Sequence, residues 1–181
     1  MVLDTPSLGF ALGVVTFTLC LLFHGSFRRT GSAYSGWWCV ALVFFLAGNV
    51  AFLLTGTPQQ LWADPAGNAL LVAGAFSVWA GSRSLRLLPA PRWQLLAAPA
   101  VTAVASALEN PASNPWSGAL VYLAMMAVGM GLATRELWLL KAGSSQVRRS
   151  LALAAGALAA YYLCRWPVFL VEGPEGPDFV H

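Results

Sequence analysis

The sequence predicts an all-α, polytopic transmembrane helical bundle with six spans and its N-terminus outside. Three observations carry this expectation. Of the 181 residues, 58% are hydrophobic and only 9% charged, against about 25% charged in ordinary soluble domains, and mean hydropathy is +0.68. Six apolar segments approach the ~20 residues that a bilayer core requires. Finally, basic and acidic residues fall in alternate loops. Ten Lys and Arg with seven Asp and Glu cannot form the polar shell of a soluble globule. The composition therefore excludes a soluble enzyme, a nucleic-acid-binding domain and a disordered regulator.

The six spans follow from hydropathy in chain order. The first runs from about Ser7 to Phe23. No basic residue precedes it and no small-residue cleavage site follows, so it reads as a retained span rather than a secretory signal. The second, Trp37 to Leu54, is the most hydrophobic. The third runs from about Pro65 to Ala80. The fourth, Trp93 to Leu108, is short, rich in Ala, and holds Pro99, which predicts a kink. The fifth runs from Trp116 to Ala133 and the sixth from Leu151 to Val171. In the sixth, Pro167 predicts a local opening.

Charge segregation orients the bundle. Arg28, Arg29, Arg83, Arg86, Arg92, Arg135, Lys141, Arg148 and Arg149 occupy one set of loops. Asp4, Asp64, Glu109, Glu172, Glu175 and Asp178 occupy the other, which has no basic residue. The positive-inside rule makes the basic loops cytoplasmic. Tryptophans agree, with Trp62, Trp116 and Trp166 near the acidic-loop ends and Trp37, Trp38, Trp79, Trp93 and Trp138 near the basic-loop ends. Their rings favour the headgroup level. After the sixth span the chain continues as an acidic, Gly/Pro-rich stretch and ends at His181 as apolar residues resume. That pattern resembles a loop cut short before a further span.

Candidate chemistry is sparse. No nucleophile elbow, zinc motif or phosphate loop is present. Cys20, Cys39 and Cys164 are scattered singly, so no disulfide framework or zinc site is expected. His24 reads as an interfacial side chain, and no cofactor is expected. Lys141 lies in a loop, which excludes a retinal Schiff base. Arg165 stands out as the basic residue within a span, where ionisable groups are rare and often functional. Asn49, Asn68, Glu109 and Tyr162 lie at comparable depth in the outer half, with Tyr161 beside Tyr162. Together they could surround a small polar or anionic ligand. They could equally form an internal polar clasp, or Arg165 could snorkel to the headgroups. Gly74 and Gly81, and Ala152, Gly156 and Ala160, place small residues on helix faces. Such faces allow close approach within the chain or to a second copy, making a homodimer. Arg148 and Arg149 could touch anionic membrane lipid.

Around the third span the chain reads Asn68-Ala-Leu-Leu-Val-Ala-Gly74, then Ala-Phe-Ser-Val-Trp-Ala-Gly81-Ser-Arg83, followed by Pro91-Arg92. An Arg-rich loop precedes the sixth span, which carries Arg165. This pattern resembles the N-terminal multi-span sensor or anchor region found ahead of bacterial GGDEF-type diguanylate cyclase domains. The resemblance covers the topology of most of the chain but few specific residues, and the Gly-Gly-Asp/Glu-Glu-Phe signature is absent from the sequence. It implies a bacterial cytoplasmic-membrane protein involved in cyclic di-GMP signalling. The expected function is non-enzymatic, relaying an external or lipid-phase signal to a cytoplasmic signalling domain. The alternatives are a small transporter or channel, disfavoured by polar groups gathered in the outer half rather than at midplane, and a lipid-acting enzyme, disfavoured because Glu136 is the sole acid among the basic loops.

Overall fold

The computed structural model describes residues 5–111, 114, 116–140 and 146–172, with side chains from Gly13 onward except those of 147, 148 and 172. Asp4, Lys141 and the acidic stretch beyond Glu172 lie outside the described residues. Among them the fold is all-helical, in six helices: α1 (Thr5–Thr30), α2 (Ala33–Phe52), α3 (Gln60–Ser84), α4 (Arg92–Leu108), α5 (Ala119–Trp138) and α6 (Gln146–Glu172).

Helix α3 is the centre of the bundle. It packs against α2, α4 and α5, whereas α1 packs only on α2 and α6 only on α5. Fifteen of its 25 residues are buried. The main apolar cluster forms around Val72, Ala75, Phe76 and Trp79, with Met126 and Met130 of α5, Ala98 of α4 and Ala155 of α6. Among the described residues α2 and α6 do not pack against each other.

The small-residue faces are used within the chain. A Cβ at Gly74 would lie 2.6 Å from the Phe45 ring, and one at Gly81 would lie 3.2 Å from Trp37 Cβ. Both glycines thus bring α2 and α3 together. Gly156 faces Thr134 of α5, and Ala152 is buried there too, while Ala160 remains exposed.

Helix by helix, apolarity supports fewer spans than six. Among the described residues, α2, α5 and the Arg149–Val171 part of α6 are long and apolar enough to cross a bilayer. Helix α4 has 17 residues, about 26 Å against a hydrocarbon core of about 30 Å. Helix α3 carries Asp64, Asn68, Ser77, Ser82 and Arg83, and the described part of α1 carries His24, Arg28 and Arg29.

Several expected boundaries move. Helix α3 begins five residues before Pro65, leaving that proline inside the helix. The carbonyl that Pro65 cannot serve belongs to Leu61, an exposed residue, so the loss falls at the surface of the first turns. Pro99 and Pro167 also lie inside their helices, and α6 continues past Pro167 to Glu172 rather than opening there. Trp62, Trp93 and Trp138 are exposed near helix ends, but Trp79 is buried against Phe76 and beneath the Arg83 guanidinium.

Candidate functional site

The site begins with the loop between α4 and α5, which folds back onto α3. Asn68 Nδ2 donates to Ser106 Oγ at 2.9 Å and to the Ser117 carbonyl at 3.2 Å. Glu109 Oε2 accepts from the Gly118 amide at 2.7 Å. Gly118 sits at φ +72°, and a Cβ there would lie 2.1 Å from Ser106 Oγ. Only glycine suits both that left-handed backbone and that contact. These bonds fix Ser117 at the entrance to α5. Ser117 is 2% exposed, and its Oγ has no hydrogen-bond partner among the described residues.

Helix α6 supplies the facing wall. Tyr161, Arg165 and Phe169 recur every four residues and so share one helical face. Tyr161 OH accepts a hydrogen bond from Arg165 Nη1 at 2.8 Å, and the guanidinium lies 5.6 Å from the Tyr161 ring centre. Neighbouring Tyr162 meets Tyr122 of α5 edge to face at 6.0 Å. Trp166 Nε1 donates to the Leu120 carbonyl at 3.1 Å, fastening α6 to the start of α5. Trp116 and Phe169 approach to 6.1 Å.

Between these walls lies a pocket of about 260 Å³. It brings together Arg165, Asn68 and Tyr162, three of the five residues singled out from the sequence, with Tyr161 beside them. Asn49 and Glu109 do not line it. Asn49 is exposed, and its amide donates to the Phe45 carbonyl one turn back in α2. Glu109 is spent on the Gly118 amide. Phe52, Trp116, Ser117, Tyr122 and Phe169 complete most of the lining and were not singled out from the sequence. Ser117 had no sequence signal, and the other four were visible only as aromatic residues near the acidic-loop ends, a placement shared with ordinary interfacial anchors.

Two carboxylates are also buried, Asp64 and Glu136. Asp64 Oδ1 accepts from Thr55 Oγ1 at 2.8 Å, while its Oδ2 has no partner. At the opposite end of the bundle Glu136 of α5, with its side chain 3% exposed, pairs with Arg86. Arg83 and Arg135 approach it to 3.6 and 3.9 Å. Its position as the lone acid among basic loops was the sequence signal for this cluster. Arg135 is its neighbour in sequence, yet the tightest partner is Arg86, fifty residues away. Among the described residues no group of three or more His, Cys, Asp or Glu side chains could hold a metal ion, and His24 is exposed.

The fold and pocket together define an all-helical bundle, with helices able to cross a membrane and a mixed aromatic and cationic cavity at the acidic-loop end. Comparisons with protein-family models, curated proteins and solved structures give no match.

Proposed function

We propose that this chain is a multi-pass module of the bacterial cytoplasmic membrane, with six spans and its N-terminus outside. It acts as a non-enzymatic sensor and anchor that relays an external or lipid-phase signal to a cytoplasmic signalling domain of diguanylate cyclase type. The observation that carries the sensing role is the pocket uniting Arg165, Asn68 and Tyr162 at the acidic-loop end. On this reading that end is external, where a small polar or anionic ligand is accessible. The alternation of basic and acidic loops argues for six spans, although only α2, α5 and the Arg149–Val171 part of α6 are, among the described residues, long and apolar enough to cross a bilayer. Polar groups of α3 find partners inside the bundle, Asn68 on Ser106, Ser77 and Ser82 on carbonyls of their own helix, and Arg83 on Glu136. Polar residues in a membrane helix are tolerated when they face protein.

The test is a chimera in which the whole 181-residue chain precedes a cyclase catalytic domain. Cyclic di-GMP is measured in cells carrying the native sequence or Arg165→Lys. A lysine keeps the charge and can still snorkel, but it cannot reproduce the planar guanidinium fork. The expected result is altered output at equal membrane insertion. Equal output at equal insertion would leave Arg165 as an anchor and the pocket without a signalling role.

A further inference from the structure

The wall of the pocket is made mostly of rings. Six of its eleven described lining residues are aromatic, against 12% of the whole chain. They converge from four segments: Phe52 from the end of α2, Trp116 from the connection before α5, Tyr122 from α5, and Tyr161, Tyr162 and Phe169 from α6. The Tyr161–Tyr162, Tyr122–Tyr162 and Trp116–Phe169 pairs meet edge to face or tilted, at 5.4, 6.0 and 6.1 Å. A further ring can join such a set by offset stacking or by an edge contact. Volume sets its size. An apolar cavity of about 150 Å³ holds one benzene, so the about 260 Å³ here accommodates two fused rings.

The polar part of the wall sets the charge. Arg165 carries the sole charge of the described lining, and it is already engaged. Its Nη1 donates to Tyr161 OH at 2.8 Å, its guanidinium lies 5.6 Å from that ring centre, and it makes a further interaction besides. A cation so occupied does not call for an anion, and burying a ligand's charge without a dedicated counter-charge is costly. Ser117 differs. It lines the pocket, and its buried Oγ has no partner among the described residues. A hydroxyl both donates and accepts, so either a hydroxyl or a carbonyl oxygen on a ligand would satisfy it.

We propose that the pocket takes an uncharged, planar two-ring aromatic molecule with one hydroxyl or carbonyl oxygen, its rings against the aromatic wall and its oxygen on Ser117. Arg165 is then a positioning residue that holds the Tyr161 ring in the wall. The inference rests on the sensing role above and deepens it by naming a polar, uncharged ligand class.

The test uses the full chain in phosphatidylcholine nanodiscs at pH 7, with radiolabelled 2-naphthol as the probe. Specific binding is the part that excess unlabelled 2-naphthol displaces, and it is expected to saturate. The saturated analogue trans-2-decalinol keeps the size and the hydroxyl but not the aromatic faces, and should compete about fivefold less well. The anion 2-naphthoate should compete no better than 2-naphthol. Ser117→Ala should weaken 2-naphthol about fivefold and leave naphthalene, which has no oxygen, unchanged. Arg165→Lys should weaken 2-naphthol about threefold, with no further effect in a Tyr161→Leu background. Absence of saturable 2-naphthol binding would overturn the proposal, as would decalinol competing equally well or 2-naphthoate competing tenfold better. Equal effects of Ser117→Ala on the two naphthalene probes would overturn the Ser117 contact. A full effect of Arg165→Lys without Tyr161 would overturn the positioning role. If 2-naphthol fails to bind while Arg165→Lys still alters output from the chimera, the ligand class falls and the sensing role stands. If it binds as expected while the chimera's output is unmoved, the binding site stands and the sensing role falls.

Discussion

Replacing Glu136 with Gln tests the polar clasp at the basic-loop end. Gln matches the shape and keeps one carbonyl oxygen, but removes the charge that Arg83, Arg86 and Arg135 surround. Two unit charges at the 3.6 Å separation of Arg83 and Glu136 attract by about 1 kcal/mol in water and about 4–5 kcal/mol at an effective dielectric constant of 20. The carboxylate is 3% exposed, but Arg83 and Arg86 are 23% and 30% exposed, so solvent screening reduces the upper figure. Breaking one partner of a fully buried pair costs about 3–5 kcal/mol. Discounted for that exposure, Glu136→Gln should destabilise the protein by about 2–3 kcal/mol. The assay is reversible unfolding in mixed micelles, with double-mutant cycles against each arginine. Coupling should be largest with Arg86. It should be close to zero, about 0–0.5 kcal/mol, for Arg135, which is 66% exposed at 3.9 Å. A loss below about 0.5 kcal/mol for Glu136→Gln, or an Arg135 coupling equal to that of Arg86, would refute the reasoning.

Two further predictions follow from the loops. Gly118→Ala forces a side chain into a left-handed backbone and against Ser106, so it should cost about 3 kcal/mol and lower the unfolding midpoint; a loss under about 1 kcal/mol would show that the α4–α5 loop shifts freely. In a background with Cys20, Cys39 and Cys164 changed to Ser, Gln59→Cys should react with an impermeant thiol reagent on intact cells and Arg29→Cys and Arg92→Cys should not, whereas external labelling at Arg92→Cys would remove the proposed orientation.

The helices were largely legible because apolar runs must satisfy their own backbone, and a helix is the local way to do so. Their ends were less legible. Hydropathy places the third span from about Pro65, yet α3 starts at Gln60, whose side-chain amide donates to the Pro111 carbonyl at 2.8 Å, a contact no local pattern reveals. Depth along the helix axis was also readable, and Arg165, Asn68 and Asn49 do share the acidic-loop end. Facing was not. Helix α2 is apolar on nearly every side, so no polar stripe marks which way Asn49 points, and it turns outward to cap the Phe45 carbonyl. Glu109 illustrates the same limit, since its partner Gly118 lies nine positions on, at the far end of the α4–α5 connection. The Glu136 cluster joins residues fifty positions apart and could be suspected from its charge but not assigned a partner.

The central position of α3 has a consequence for how the chain is made. Asn68 is satisfied by Ser106 and Ser117, and Arg86 by Glu136, so every one of these partners is synthesised later than the group it serves. At about 5–20 residues per second, a separation of fifty residues is a delay of about 3–10 s. During that interval α3 carries polar groups with no final partner, and α2, already emerged and joined to it through Gly74 and Gly81, is the helix available to shelter it. On the six-span proposal, α2 and α3 are then expected to insert as a pair, with α5 and the loop before it bringing the partners of Asn68 and Arg86.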